Sequence, residues 1–313
     1  MFFVALLYAD SLMPYNHYKD IYRRTDNMDR IGFIGLGEMG FPMANRLCDA
    51  GYVIHTTIHS KKQSSIDKIN SLKGKGAMIE HSPADIMKIV DWVITILPTD
   101  KEVEEVLLNQ EFLNHVNEDT LILDMTSCKA ETIEKIGKIY MEKGARVVDA
   151  PVSGGTTGAE QGTLSIFASG NRSDVDELEK VFSILGGKTF YLGMLGKGKA
   201  IKSINQMMVA VNSLAFIEAY RSALKQDLDL DLVYDVIKQS SGYSNVFDRK
   251  FFKLVNRHFE NGFKLSLMRK DLKIALDSAG DIPLPVTRLV YELLLMAKED
   301  DDLDYIAVTK LLE

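Results

Sequence analysis

Lys202, Asn205 and Gln206 stand in the run Gly196-Lys-Gly-Lys-Ala-Ile-Lys-Ser-Ile-Asn-Gln206, at spacings of three and four residues. On a helix that spacing puts all three side chains on one face. A lysine there can attract a substrate anion, or transfer a proton at a carbonyl oxygen once burial has lowered its pKa. A second stretch, Asp149-Ala-Pro-Val-Ser153-Gly154-Gly155 and onward to Gly162, follows the end of a strand pattern. Its serine hydroxyl and the bare backbone amides of two glycines suit the close approach of a carboxylate. The third, Gly35-Leu36-Gly37-Glu38-Met39-Gly40, comes directly after the apolar run Arg30–Ile34 and before a helix pattern. Here Gly35 permits a tight turn, Gly37 lets backbone amides reach a pyrophosphate, and Gly40 lets helix and strand pack closely, which together describe a dinucleotide site.

These groups need elements to hold them. From residue 30 to about 192, short Val/Ile-rich runs alternate with helix-patterned segments, which predicts βα units around a parallel sheet. Strands are predicted at 30–34, 52–57, 92–97, 120–124, 146–149, 164–169 and 188–192, with helices at 39–50, 61–71, 83–89, 101–108, 129–143 and 173–185. From Lys199 to Gln226 there is no proline or glycine, and apolar residues recur at 201, 204, 208, 211 and 215. That is one stripe of a helix, roughly 40 Å long at ~1.5 Å per residue, able to leave the first domain and form the spine of a second. Beyond it only helical patterns follow. The predicted fold class is an α/β, doubly wound domain (28–194) joined by a long helix to an all-α domain (195–313).

The dinucleotide can be read further. NAD-selective sites place a carboxylate after the second strand, and Ile58-His59-Ser60-Lys61-Lys62 supplies none. His59, Ser60 and Lys61 instead offer hydroxyl and cationic groups for a 2′-phosphate, which favours NADP over NAD.

Composition bounds the remaining possibilities. The 313 residues exceed what one core usually organises, with 46% hydrophobic and 26% charged residues and a net charge of −7. With lysine and arginine scattered, no basic stripe addresses nucleic acid or a lipid surface, so neither partner is expected. Cys48 and Cys128 form no CxxC pair and stand beside no metal-ligand set, which fits a reducing cytoplasm without structural metal. Met1 to Ala9 is apolar but lacks the length and preceding charge of a targeting or spanning segment. Met28, two residues before the first strand, is the expected natural start, with residues 1–27 an extension.

The three motifs, in this order, resemble the β-hydroxyacid dehydrogenase family, which includes 3-hydroxyisobutyrate dehydrogenase and tartronate semialdehyde reductase. Gly32 to Met43 looks like its cofactor signature, Asp149 to Gly162 like its substrate loop, Gly196 to Asn205 like its catalytic helix, and Phe263 to Ala275 like a later helix whose lysine and aspartate line the cleft. The resemblance implies a Rossmann-like domain, an all-helical domain that also builds a dimer or tetramer, and an active site between them. It assigns substrate carboxylate to Ser153, Gly154 and Gly155, acid/base chemistry to Lys202 and substrate orientation to Asn205. Gln206 stands where many members carry a second asparagine. Lys270, Leu97, Pro98 and Thr126 are the remaining expected cofactor contacts. The implied activity interconverts a small hydroxy acid and its aldehyde or keto acid. Lys202 speaks against an imine reductase and against a non-catalytic nucleotide-binding assembly module, and the tract after residue 230 is shorter than a 6-phosphogluconate dehydrogenase requires.

Overall fold

The structure, a computed structural model, describes residues 30–58, 62–260 and 262–313. The extension 1–27 and the predicted phosphate contacts His59, Ser60 and Lys61 lie outside the described residues. Six parallel strands form the first sheet: β1 (Arg30–Ile34), β2 (Val53–Thr57), β3 (Met78–Glu80), β4 (Trp92–Thr95), β5 (Leu121–Asp124) and β6 (Arg146–Asp149), in the order β3-β2-β1-β4-β5-β6. The order reverses between β1 and β4, and open parallel sheets bind ligands at that switch point, outside the carboxyl ends of the strands.

Helices cover both faces. On one, α1 (Gly40–Asp49) packs Met43, Ala44 and Leu47 into a core with Ile31, Phe33 and Ile54. Between the strands come α2 (Gln63–Lys73), α3 (Pro83–Met87), α4 (Asp100–Leu107), α5 (Gln110–Leu113) and α6 (Ala130–Met141). On the opposite face Ile34, Val93, Ile122, Ile133 and Tyr140 share a second core. The strands are apolar on both sides because both sides are covered.

The predicted run of parallel strands stops at β6. Pro151 lacks the N–H a continuing ladder needs, and the chain instead starts a separate three-stranded sheet of β7 (Val152–Ser153), β8 (Leu164–Ala168) and β9 (Gly186–Tyr191). There β7 runs antiparallel to β8, and β8 parallel to β9. The predicted 164–169 and 188–192 strands therefore belong to this sheet. The glycine-rich loop between β7 and β8 contains a short helix, α7 (Gly155–Gln161), and the helix predicted at 173–185 divides into α8 (Arg172–Glu177) and α9 (Glu179–Leu185).

The long helix α10 runs from Lys197 to Lys225, 29 residues and about 44 Å at ~1.5 Å per residue. Its orientation departs from expectation. Ile201, Ile204 and Met208, from the apolar stripe, are exposed, whereas Lys199, Lys202, Gln206, Ala210, Ser213 and Ile217 are buried. The first turns lie against polar ends of the sheet domain, so buried polar groups find partners there and the apolar stripe faces outward. The remaining helices, α11 (Leu230–Lys238), α12 (Asn245–Val255), α13 (Leu265–Ser278), α14 (Pro285–Met296) and two 3-10 turns at Lys298–Asp300 and Tyr305–Leu312, gather around the later part of α10. Their core contains Ile217, Phe247, Phe251, Leu272 and Ile306 and shares no residue with the sheet cores.

Candidate active site

Lys202 is placed by how α10 begins. The first amides of a helix lack intrahelical acceptors, and here Asp149, at the end of β6, accepts from the amides of Gly196 (2.8 Å) and Lys199 (3.0 Å). Ser169 Oγ accepts from Gly198 N at 2.9 Å and donates back to Asp149. A carboxylate at this terminus also suits the helix dipole. The helix start is thereby fixed to the sheet.

One turn in, the fully buried Lys199 ammonium donates to Asp124 Oδ2 (2.7 Å), Asp124 O (2.9 Å) and Thr126 O (2.8 Å). Burial works against its charge, but Asp124 and its neighbours outweigh that and hold its pKa above the ordinary lysine value. Asp124 Oδ1 accepts from the hydroxyls of Thr95 (2.7 Å) and Thr126 (2.6 Å), and Thr126 Oγ1 accepts from Leu97 N at 2.9 Å. The network joins the ends of β4 and β5 to the helix that carries Lys202.

Lys202 itself is buried and donates to Gln206 Oε1 at 2.9 Å. Burial is the main force on it, aided by nearby Lys270 and opposed by Asp271, and its pKa falls to about 8. Such a group exchanges a proton close to neutral pH. Gln206 Nε2 donates onward to Asp271 Oδ2 at 2.8 Å, while Asn205 Nδ2 reaches Gln206 Oε1 at 3.1 Å and Ser153 Oγ at 3.5 Å. Lys270, on α13, lies 3.1 Å from Asp271 Oδ1 and donates to the carbonyls of Ser127 (2.7 Å) and Pro98 (3.0 Å).

These groups line one cleft of about 1310 Å³ between the sheet domain and the helices. The structure brings to it Gly35, Leu36, Gly37, Glu38, Met39, Gly40, Leu97, Pro98, Ser153, Gly154, Gly155, Lys202, Asn205, Gln206 and Lys270. Thr126 does not line it: its hydroxyl is buried in the Asp124 network, and the neighbours Met125 and Ser127 face the cleft instead. Glu38 also pairs across the cleft with Lys264 at 3.4 Å. The cleft further contains Asn212, Arg249, Lys253 and Tyr305, which no local motif marks, because they converge only through the packing of α10, α12 and the last 3-10 turn.

The glycine loop fits a dinucleotide. Gly35 has φ +112° and a side chain there would strike the Ile96 carbonyl, while one at Gly40 would strike the Gly35 carbonyl, so both are held by the protein's own packing. At Gly37 a Cβ would meet nothing within 4 Å. The space over Gly37 thus belongs to the cleft, as close backbone approach to a pyrophosphate requires.

A parallel sheet with its glycine loop at the switch point, opened onto a helical domain by a long helix, defines a two-domain NAD(P)-dependent oxidoreductase. The family model described as the NAD binding domain of 6-phosphogluconate dehydrogenase matches residues 30–193, and that described as NAD-binding of NADP-dependent 3-hydroxyisobutyrate dehydrogenase matches 196–312. The chain is 32% identical over 271 residues to the mitochondrial 3-hydroxyisobutyrate dehydrogenase of Drosophila melanogaster, covering 84% of this chain and 82% of that protein. It is 32% identical over 289 residues to 2-hydroxy-3-oxopropionate reductase of Escherichia coli (strain K12), covering 91% and 97%. The structure of Mycobacterium tuberculosis 3-hydroxyisobutyrate dehydrogenase with L-serine superposes with a TM-score of 0.79 at 28% identity, covering 91% of this chain and 99% of that one. The chain belongs to the β-hydroxyacid dehydrogenase family, as an NAD(P)-dependent hydroxy acid dehydrogenase.

Proposed function

We propose that the protein interconverts a small 3-hydroxy acid and its semialdehyde, of the 3-hydroxyisobutyrate or tartronate semialdehyde type, with Lys202 as the proton-transferring group. The observation that carries this reading is a buried lysine with a pKa of about 8, facing the same cleft as the glycine loop and Ser153. When bound along Gly35 to Gly40, the dinucleotide supplies the hydride acceptor or donor. Ser153, Gly154 and Gly155 hold the substrate carboxylate, and Asn205, which reaches Ser153 Oγ, orients the acid against the lysine. In oxidation neutral Lys202 takes the hydroxyl proton; in reduction its ammonium returns one to the carbonyl oxygen. Gln206 and Asp271 hold the ammonium end in place, and Lys270 ties the helices to the loops after β4 and β5.

NADP is the proposed dinucleotide, since no carboxylate occurs from Ile58 to Ile66 and His59, Ser60 and Lys61 suit a 2′-phosphate. The exposed stripe of Ile201, Ile204 and Met208 on α10, with Val286 and Leu289 on α14, supports assembly as a homodimer or homotetramer, checked by light scattering on the eluting protein. The activity is tested at 340 nm with NADPH and NADH offered separately against small semialdehydes and keto acids. Turnover with a semialdehyde is expected; silence across the panel despite cofactor binding overturns the reading.

A further inference from the structure

The dinucleotide end of the cleft carries a charge that its glycine loop does not balance. Glu38 lies within Gly35 to Gly40 and faces the same cleft as Gly37, so its carboxylate stands beside the place a diphosphate takes. Two anions so close repel, and the amides at the start of α1 offset only part of that. Opposite the loop stands Lys264, which comes from the helical domain and also lines the cleft. Its ammonium lies 3.4 Å from Glu38 Oε1 and donates to Asp302 Oδ1 at 2.8 Å. The Asp302 side chain is 92% exposed and that of Glu38 48%. Ion pairs this wet contribute little to stability, so the ammonium exchanges one acceptor for another at small cost. The backbone beneath it is fixed. Lys264 pairs with Asp304 in an isolated antiparallel bridge, Leu265 N donates to the Leu303 carbonyl at 2.9 Å, and Tyr305 N donates to the Phe263 carbonyl at 3.0 Å. Leu265 itself is buried in the helical core. A firm stem therefore delivers a loosely held cation to the glycine loop. The hydrogen bond to Asp302 is the main force on its pKa, opposed by partial burial and aided by Glu38, and holds it above the ordinary lysine value. Lys68 acts on the loop from behind: its ammonium lies 3.4 Å from the Gly37 carbonyl and 5.6 Å from the centre of the Phe41 ring, and the cleft lining does not include it.

We propose that Lys264 is a cofactor-binding residue supplied by the helical domain: with a dinucleotide along Gly35 to Gly40, its ammonium binds the diphosphate and offsets the repulsion from Glu38. Lys264 then meets the diphosphate from one side while the amides of the glycine loop meet it from the other, so the bound cofactor joins the two domains. The diphosphate is common to NAD and NADP, and the proposal is independent of the choice between them and of the substrate.

The test measures binding without turnover: NADPH and NADH are each titrated to saturation into the full chain by calorimetry, with no substrate present. In Lys264→Gln both dissociation constants should rise about 10-fold, the loss of one charge-assisted hydrogen bond. Lys264→Arg keeps the charge and should recover most of that loss. Glu38→Gln should act in the opposite direction and tighten both cofactors a few-fold, because it removes the anion beside the diphosphate and leaves the lysine in place. The thermal midpoint of the ligand-free protein should hold in all three variants, since the pairs they break are exposed. Dissociation constants unchanged in Lys264→Gln overturn the proposal. Equal weakening by Lys264→Gln and Glu38→Gln also overturns it, because the ion pair would then act only by holding the cleft in shape. A loss confined to NADPH would move Lys264 to the 2′-phosphate and overturn the diphosphate assignment. None of these outcomes bears on proton transfer by Lys202, which the 340 nm assay tests separately.

Discussion

The two ends of the cleft are built in different ways. At the cofactor end, six consecutive residues, Gly35 to Gly40, make a turn, a ligand surface and a packing contact within one βα junction. At the substrate end, the loop after β7, the first turns of α10, and side chains from α12 and α13 have to converge from positions more than 100 residues apart. The first end is set by local backbone geometry, so it is written in the chain as a contiguous pattern. The second is set by tertiary contacts: Asp149 and Ser169 on the start of α10, Lys199 in the Asp124 network, and Lys270 across the cleft. A local loop can thus be damaged without unfolding anything, whereas the convergent end depends on buried polar groups whose loss is felt as stability.

The largest effect should fall on the convergent end. Lys202→Ala is expected to lower kcat about 10²- to 10⁴-fold while the cofactor dissociation constant, followed by NADPH fluorescence, stays within a few-fold. Near-normal turnover would show that proton transfer at this site does not need the lysine. Next comes Lys199→Met, which leaves Asp124 buried without its cation and should cost about 3–5 kcal/mol in urea unfolding. A loss under 1 kcal/mol would mean that the helix start is held by Asp149 alone, and the contrast between the two ends would weaken. Gly37→Val tests the local end: because a Cβ there meets no protein atom within 4 Å, the thermal midpoint of the free protein should hold while cofactor affinity falls at least about 100-fold.

This contrast also explains what could be read before the fold was known. The glycine loop, the serine loop and the lysine helix were legible because each keeps its chemistry within a short window, and the long helix because 28 residues without proline or glycine admit little else. Which side of that helix is buried was not legible. The apolar period at 201, 204 and 208 marks the exposed stripe, and the buried lysines 199 and 202 find acceptors that only the folded sheet ends provide. β3, three residues at the sheet edge with Met78 exposed, carries too little pattern to announce a strand. Thr126 follows the end of β5, but its neighbours face the cleft, because the Asp124 carboxylate draws the threonine hydroxyl inward. Arg249 looks like an ordinary solvated helix residue until α12 is seen against Gly154.

Proton transfer sharpens the comparison further, because the lysine end carries a group whose pKa falls to about 8. In the oxidative direction neutral Lys202 is required, so kcat/KM should rise tenfold per pH unit below about 8 and level off above it. Reduction requires the ammonium, so its kcat/KM should be level below about 8 and fall tenfold per unit above. Parallel profiles in the two directions would mean that another group carries the proton.

The smallest effect concerns Gln206, which accepts from Lys202 and donates to Asp271. Its carbonyl oxygen stabilises the ammonium more than the neutral amine, since a charged donor makes the stronger hydrogen bond. Gln206→Leu removes that acceptor and the link to the Asp271 carboxylate, so the ammonium loses support in an already buried site. The expected outcome is a few-fold loss of kcat, with the midpoint of the oxidative pH profile moved to lower pH. A loss of kcat with the midpoint unmoved would reduce Gln206 to packing. A midpoint moved upward would mean that the amide favours the neutral lysine over the ammonium.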